Sequence, residues 1–228
     1  AYNGANSDSF SRTIVISNGI AIGTYPANYV HCGTPTAVVD VISVTGKTWM
    51  DRNLGASQVA TSATDALAYG DLYQWGRFAD GHQCRTSPTT TTLSTTDTPG
   101  HGSFIISSND SPYDWRSPQN DNLWQGVNGL NNPCPNGYRL PTNSELSSEI
   151  SIYNITNRNS AFTSPYKFTA SGYRDNNSGV LWDVGNFGDY SSSSVIGINS
   201  SVFYFHGSEA EIGWTSRAVG VSVRCIKD

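Results

Sequence analysis

Residues able to do chemistry are few in this chain and lie far apart. Its 228 residues hold four cysteines, Cys32, Cys84, Cys134 and Cys225, and four histidines, His31, His82, His101 and His206. No two cysteines form a C-x-x-C pair, so their spacing offers no structural zinc knuckle. His31, Cys32, His82, Cys84 and His101 can be assembled on paper into a mixed nitrogen and sulfur zinc site. Disulfides would consume both thiols, and histidines beside glycine, as in Gly81-His82 and Gly100-His101, are commonly turn residues with exposed rings. Two disulfides are the better reading against four buried free thiols. Four cysteines allow three pairings, and sequence arithmetic does not choose among them. The many serines include no G-x-S-x-G elbow, and the histidines carry no supporting nucleophile or acid pattern. The chain is therefore read as a non-enzyme without cofactor or metal.

The elements that would position any site are β-rich. Charged residues make up 14%, well under the roughly 25% usual for soluble domains, so Ser, Thr, Asn, Gly and Tyr must supply the polar surface. That composition points to an extracellular or cell-surface protein. Thirteen basic against eighteen acidic residues give a net charge of -5, with no Lys/Arg cluster to neutralise a row of phosphates, which argues against nucleic acid. No stretch approaches the roughly 20 apolar residues that cross a bilayer. The chain opens at Ala1 without an initiator Met or a basic-then-apolar leader, which suits a secreted protein whose signal has been removed and equally suits an artificially trimmed one.

Residues 1–44 read as a β-rich N-terminal segment, with Asn18-Gly19 between apolar runs as a hairpin signal. A second hairpin is expected from Val38 to Val44, turning at Thr45-Gly46 into Lys47, Thr48, Trp49 and Met50. Between Asp65 and Asp80, Leu72, Trp75, Gly76 and Ala79 fall at helical spacing, which predicts a short amphipathic helix. Thr86 to Thr98 is a Ser/Thr/Pro tract read as a long surface loop. Thr142-Asn143-Ser144-Glu145 is a capping box, behind which Leu146, Ile150 and Tyr153 share a helical face. No helical period returns beyond Phe162. The chain ends on a strand in which Val221, Val223 and Cys225 share one side.

Six ordered blocks carry a resemblance: Gly46-Lys47-Thr48-Trp49-Met50; Asn53-Leu54; Tyr69 to Trp75; Pro133 to Thr142; Gly172-Tyr173-Arg174; and Gly220 to Asp228. From about residue 44 onward the chain resembles the Fibrobacter succinogenes major paralogous domain family. The resemblance implies an α+β, C-type-lectin-like fold over residues 45–228, with two helices, a small twisted mixed sheet, long loops, and its first and last strands close together. It also implies that Cys134 reaches Cys225, leaving Cys32 for Cys84. Such a bridge closes a loop of about ninety residues, worth about 4 kcal/mol in the chain-entropy model. Some members are variable proteins of diversity-generating retroelements, in which selected codons near the 3′ end are rewritten, and Leu181 to Arg217 looks like that variable segment. Relatives carry Trp after the tyrosine matching Tyr190, where this chain has Ser191.

The resemblance does not bring lectin chemistry with it. Calcium-dependent sugar binding needs a Glu-Pro-Asn or Gln-Pro-Asp loop followed by Trp-Asn-Asp. Neither is present; Trp182-Asp183 is a fragment and Asp175-Asn176-Asn177 a turn. Formylglycine-generating enzymes share the broad fold class but need paired reactive cysteines, whereas Cys225 looks structural. What remains is the segment 183–216. There Asp183, Tyr190, Ser192, Val195, Ile198, Ser201, Val202, Tyr204, His206, Glu209, Glu211, Trp214 and Thr215 offer the mixture of aromatic, hydroxyl and acidic groups that a binding surface uses. The expectation is a display surface for an unidentified macromolecular ligand, anchored by Trp214, Tyr204 and Tyr190. Alternatives are a structural or adhesive subunit that self-assembles by strand addition through the N-terminal segment, and a calcium-independent glycan-binding module.

Overall fold

The computed structural model describes residues 24–107 and 113–228. The Asn18-Gly19 hairpin lies outside the described residues. The second expected hairpin is present: β1 (Asp40–Ile42) pairs antiparallel with β2 (Thr48–Met50), so that Val41 faces Trp49 across the ladder.

The helix expected between Asp65 and Asp80 does not form. Asp65 caps a single 3-10 turn, Ala66–Ala68, and the chain then extends into β3 (Tyr73–Gln74). Gly70 and Gly76 sit at φ +69° and +78°, outside helical backbone space. The amides of Leu72 and Trp75 donate instead to the carbonyls of Gln83 and Arg217. Leu72, Trp75 and Ala79 are all buried because protein packs around the segment on several sides, which mimics a helical stripe without one. Two short strands follow, β4 (Thr89–Thr90) and β5 (Phe104–Ile105), paired in parallel.

After β6 (Tyr138–Arg139), the capping box starts α1 (Asn143–Ile152). Thr142 Oγ1 accepts from the Glu145 amide, and the Glu145 carboxylate accepts from the Thr142 amide. Arg139 forks onto both oxygens of Glu145 at 2.8 and 2.9 Å, holding that carboxyl down at a pKa of about 2 and tying β6 to the helix start. Leu146 is buried, and Ile150 and Tyr153 pack beside it against the core. A second helix, α2 (Arg158–Thr163), begins at another reciprocal cap, Asn157 with Ser160.

The rest is strand: β7 (Tyr173–Arg174), β8 (Leu181–Trp182), β9 (Gly188–Ile196), β10 (Asn199–Phe205), β11 (Ala210–Thr215), β12 (Gly220–Val221) and β13 (Ile226–Lys227). The order β1-β2-β13-β6 inserts the last strand between early ones, with Ile226 opposite Trp49 and Arg139. β3-β12-β7-β8 form a second sheet and β11-β10-β9 a third. The expected terminal strand is broken into β12 and β13. Val221, Val223 and Cys225 are nonetheless all buried. Among the described residues the architecture is α+β, with two α-helices and several small, mostly antiparallel sheets.

Two disulfides fasten this frame, Cys32–Cys84 and Cys134–Cys225, and no described cysteine is free. The second lies within the main apolar cluster beside Trp75, Trp115, Trp124 and Tyr138. Buried arginines add polar ties. Arg224, fully enclosed, donates to the Met50 and Tyr166 carbonyls and to Asn53 Oδ1, while its guanidinium lies 5.1 Å from the centre of the Phe168 ring. A guanidinium suits this task because its several donors can meet several carbonyls at once. The described part of the N-terminal segment is tied in as well. The Val30 amide donates to the Ala79 carbonyl, and the Tyr29 and Tyr73 hydroxyls meet at 2.6 Å.

Candidate binding surface

The segment expected to display side chains folds into the sheet β9-β10-β11. Gly197, at φ +58°, opens the two-residue turn Gly197-Ile198 between paired Ile196 and Asn199. At the opposite end, His206 and Glu209 close the β10–β11 turn through a backbone bond of 2.9 Å and a side-chain contact of 2.8 Å.

Strand alternation sorts the side chains into two faces. Tyr190, Phe203, Phe205 and Ile212 point toward the cluster that contains Trp49, Leu146 and Phe168. On the opposite face run two cross-strand rows, Asp189–Tyr204–Glu211 and Ser191–Val202–Gly213. The second row is covered: Val202 packs with Val219, Val221 and Tyr173. Tyr204 lies over Gly213, where a Cβ would come within 2.8 Å of its ring, so only glycine leaves the ring that place.

Four of the expected contact residues are interior and are withdrawn from the surface. Tyr190 is 1% exposed; its hydroxyl accepts from the Thr169 amide at 2.7 Å and from Asn53 Nδ2 at 3.1 Å, and donates to the Thr169 carbonyl. It is a core tether, not an anchor. Ser192 and Ser201 face each other across an irregularity in the β9–β10 register, where Ser192 Oγ donates to the Ser201 carbonyl. Val202 fills the small cluster just described. Ser191 is also buried, and its amide donates to the Ser222 carbonyl.

The remaining expected residues reach solvent in different directions. Asp183, Val195, Tyr204, His206 and Thr215 are half-buried, and Ile198, Glu209, Glu211 and Trp214 are exposed. Trp214, 66% exposed, pairs with Ser201, an odd number of residues from the Tyr204–Glu211 pair, and so projects from the other face of the sheet. The two aromatic anchors therefore do not share one footprint. Tyr204 does share one with Glu211, which accepts its hydroxyl hydrogen and holds the phenol pKa up at about 12.

Three features beside this face went unread in the sequence. Val180, Leu181, Trp182 and Val184 form an exposed apolar stretch around β8. Tyr173 on β7 packs against the Val202 cluster and lies in the field of Asp183 and Asp189. Asp189 carries a carboxylate oxygen, Oδ2, that is cut off from solvent and has no hydrogen-bond partner. Burial first, then the neighbouring Asp183, raises its pKa to about 7. An acidic residue inside the alternating run from Gly188 to Tyr190 was the available signal.

The paper zinc site is dismantled by the fold. Its two thiols form a disulfide, and His82 is buried with Nδ1 2.7 Å from Asp80 and Nε2 accepting from the Gln74 amide. Burial holds its pKa down at about 4. Among the described residues no group of three or more His, Cys, Asp or Glu side chains is placed to hold a metal ion. Likewise, no described helix is long and apolar enough to cross a membrane. Comparison with protein-family models, curated proteins and solved structures finds no match to this chain.

Proposed function

We propose that the chain is an extracellular or cell-surface binding protein with a C-type-lectin-like scaffold, which presents the sheet β9-β10-β11 and its turns to a macromolecular ligand. The observation that carries this reading is the contrast between the two sides of neighbouring residues. Phe203 and Phe205 are fully buried, while Tyr204 and Glu211 on the opposite side and Ile198 in the turn bring aromatic, acidic and apolar groups to the surface; Trp214 adds an exposed ring at the open edge of the other face. Such a frame permits exchange of outward groups at little cost in folding. The ordered sequence blocks, the central position of β13 and the two disulfides support the resemblance to the variable proteins of the Fibrobacter succinogenes major paralogous domain family.

The test randomises Ile198, Tyr204, Glu211, Trp214 and Thr215 together in a displayed library. Most variants are expected to fold and some to be selectable against unrelated protein targets. A library in which most members fail to fold would overturn the reading. At the gene level, a near-copy of the codons for 183–217, differing mainly at adenines and lying beside a reverse transcriptase gene, is the expected genomic companion.

A further inference from the structure

We infer that the corner formed by Asp183, Asp189, Tyr173 and Tyr204 receives a guanidinium group, the arginine side chain of a protein partner. This rests on the reading that this sheet face binds a macromolecule. Asp189 occupies one end of the row Asp189–Tyr204–Glu211, just under the surface, with Oδ2 enclosed and unpartnered. The charged neighbour acting on it is a second carboxylate, Asp183, in the β8–β9 connection. Among the described residues neither of them, nor Glu211, belongs to an ion pair, although Asp40, Asp51, Asp80, Asp97, Glu145 and Asp228 each do. β9, β10 and β11 carry no Lys, Arg or His; His206, just after β10, is turned onto Glu209 and the Phe187 ring, and Arg158 meets the β8–β9 connection at the Gly185 carbonyl. An enclosed acceptor facing a like charge is costly; Asp189 as a whole is only half-buried, so a cation from outside can approach it beside Asp183 and offset both carboxylates without reaching Oδ2.

The flanking groups select the kind of cation. Tyr204 stands directly across the ladder from Asp189, and Tyr173 pairs with Trp182 beside Asp183 while its neighbour Gly172 bridges to Gly188, so an incoming charge meets phenol rings as well as carboxylates. A guanidinium stacks on aromatic faces, sheds water more readily than an ammonium and forks onto carboxylates. A calcium ion would need six to eight oxygens, which two carboxylates do not supply.

The experiment selects peptides from a random display library against the intact chain and measures the winners by calorimetry at low ionic strength. Arginine is expected to recur. Its replacement by citrulline, which keeps the shape and removes the charge, should weaken binding about 10-fold or more, and by lysine somewhat less. Asp189→Asn should cause a loss similar to citrulline while leaving the melting temperature no lower, and Asp183→Asn a smaller loss. Citrulline peptides that bind as well as arginine ones, or an Asp189→Asn protein that binds unchanged, would overturn the inference. Binders that depend on Tyr204 but carry no arginine would overturn it and leave the display reading intact. Absence of any selectable peptide, with no response on protein or glycan arrays, would overturn both.

Discussion

Arg217 donates from Nη2 to the carbonyl oxygen of Gly197 at 3.1 Å, so a residue just past the end of β11 grips the β9–β10 turn at the same end of the sheet. The same nitrogen meets Asp121 Oδ1 at 2.6 Å, and the guanidinium stands 4.8 Å from the centre of the Trp75 ring. A fully buried arginine thus anchors a surface turn to the core. Arg217→Ala should lower stability by about 2–4 kcal/mol, since it takes from the buried Asp114 its cationic partner at 3.9 Å and empties space beside Trp75. Arg217→Lys should recover little, because an ammonium has no planar fork. Urea denaturation gives the magnitude. Hydrogen exchange locates it, with faster exchange expected across the β9–β10 hairpin; unchanged protection there would refute the gripping role.

Tyr190 and Tyr204 stand on neighbouring strands with opposite duties. Tyr190→Phe should cost about 1–3 kcal/mol, because the Thr169 amide and Asn53 Nδ2 lose an acceptor inside the core. Phe203→Ala should cost about 3–5 kcal/mol. Tyr204→Ala and Trp214→Ala should each change stability by no more than about 0.5 kcal/mol. Thermal melts of the four variants check the pattern, and a large loss in either of the last two would make that residue part of the core.

Much of this division was legible in residue order. The capping box at Thr142 gave α1 because both of its reciprocal bonds are local, and Val38 to Met50 gave a hairpin because Thr45-Gly46 is a local turn. The false helix between Asp65 and Asp80 arose because burial from several sides imitates a one-sided stripe; the positive φ of Gly70 and Gly76 answers to tertiary packing. The α2 start at Asn157 and Ser160 was readable in principle but carried no apolar period. In the candidate surface, residue types alone could not separate Tyr190 from Tyr204, since that depends on register. The irregularity that buries Ser192 and Ser201 is invisible in a run of four serines.

Cys134–Cys225 closes a loop with a sequence separation of 91 residues and joins the segment before β6 to the residue that leads into β13. Replacing both cysteines with serine should cost about 4 kcal/mol or somewhat less. The same change at Cys32 and Cys84, separated by 52 residues, should cost slightly less by the loop-length argument. Chemical denaturation of the two double variants compares them. A larger loss at Cys32–Cys84 would mean that the N-terminal tie matters more than loop length.

Asp189 should make the folded state less stable as pH rises. Its carboxyl holds a proton up to about pH 7, whereas in the unfolded chain it ionises near its ordinary value of 3.8. Between those limits the folded state binds more protons than the unfolded one, so unfolding free energy falls with increasing pH and levels off above about 7. Asp71 and Asp114, also raised to about 7 by burial, act in the same direction. Glu145, lowered to about 2, and Asp80, also lowered, work oppositely, but their contribution is lost only in more acidic solution; His82, lowered by burial to about 4, also works oppositely as pH rises toward its ordinary 6.5, one group against three raised carboxyls. The chain should therefore unfold at higher urea at pH 5 than at pH 8. Asp189→Asn removes one titrating group without changing its shape. It should reduce the drop between those pH values by about 1–2 kcal/mol, a figure discounted from the full shift because the residue is partly exposed. If the wild type and the variant lose equal stability over this range, Asp189 is not the buried acid that the sheet geometry makes it, and its Oδ2 has found a partner.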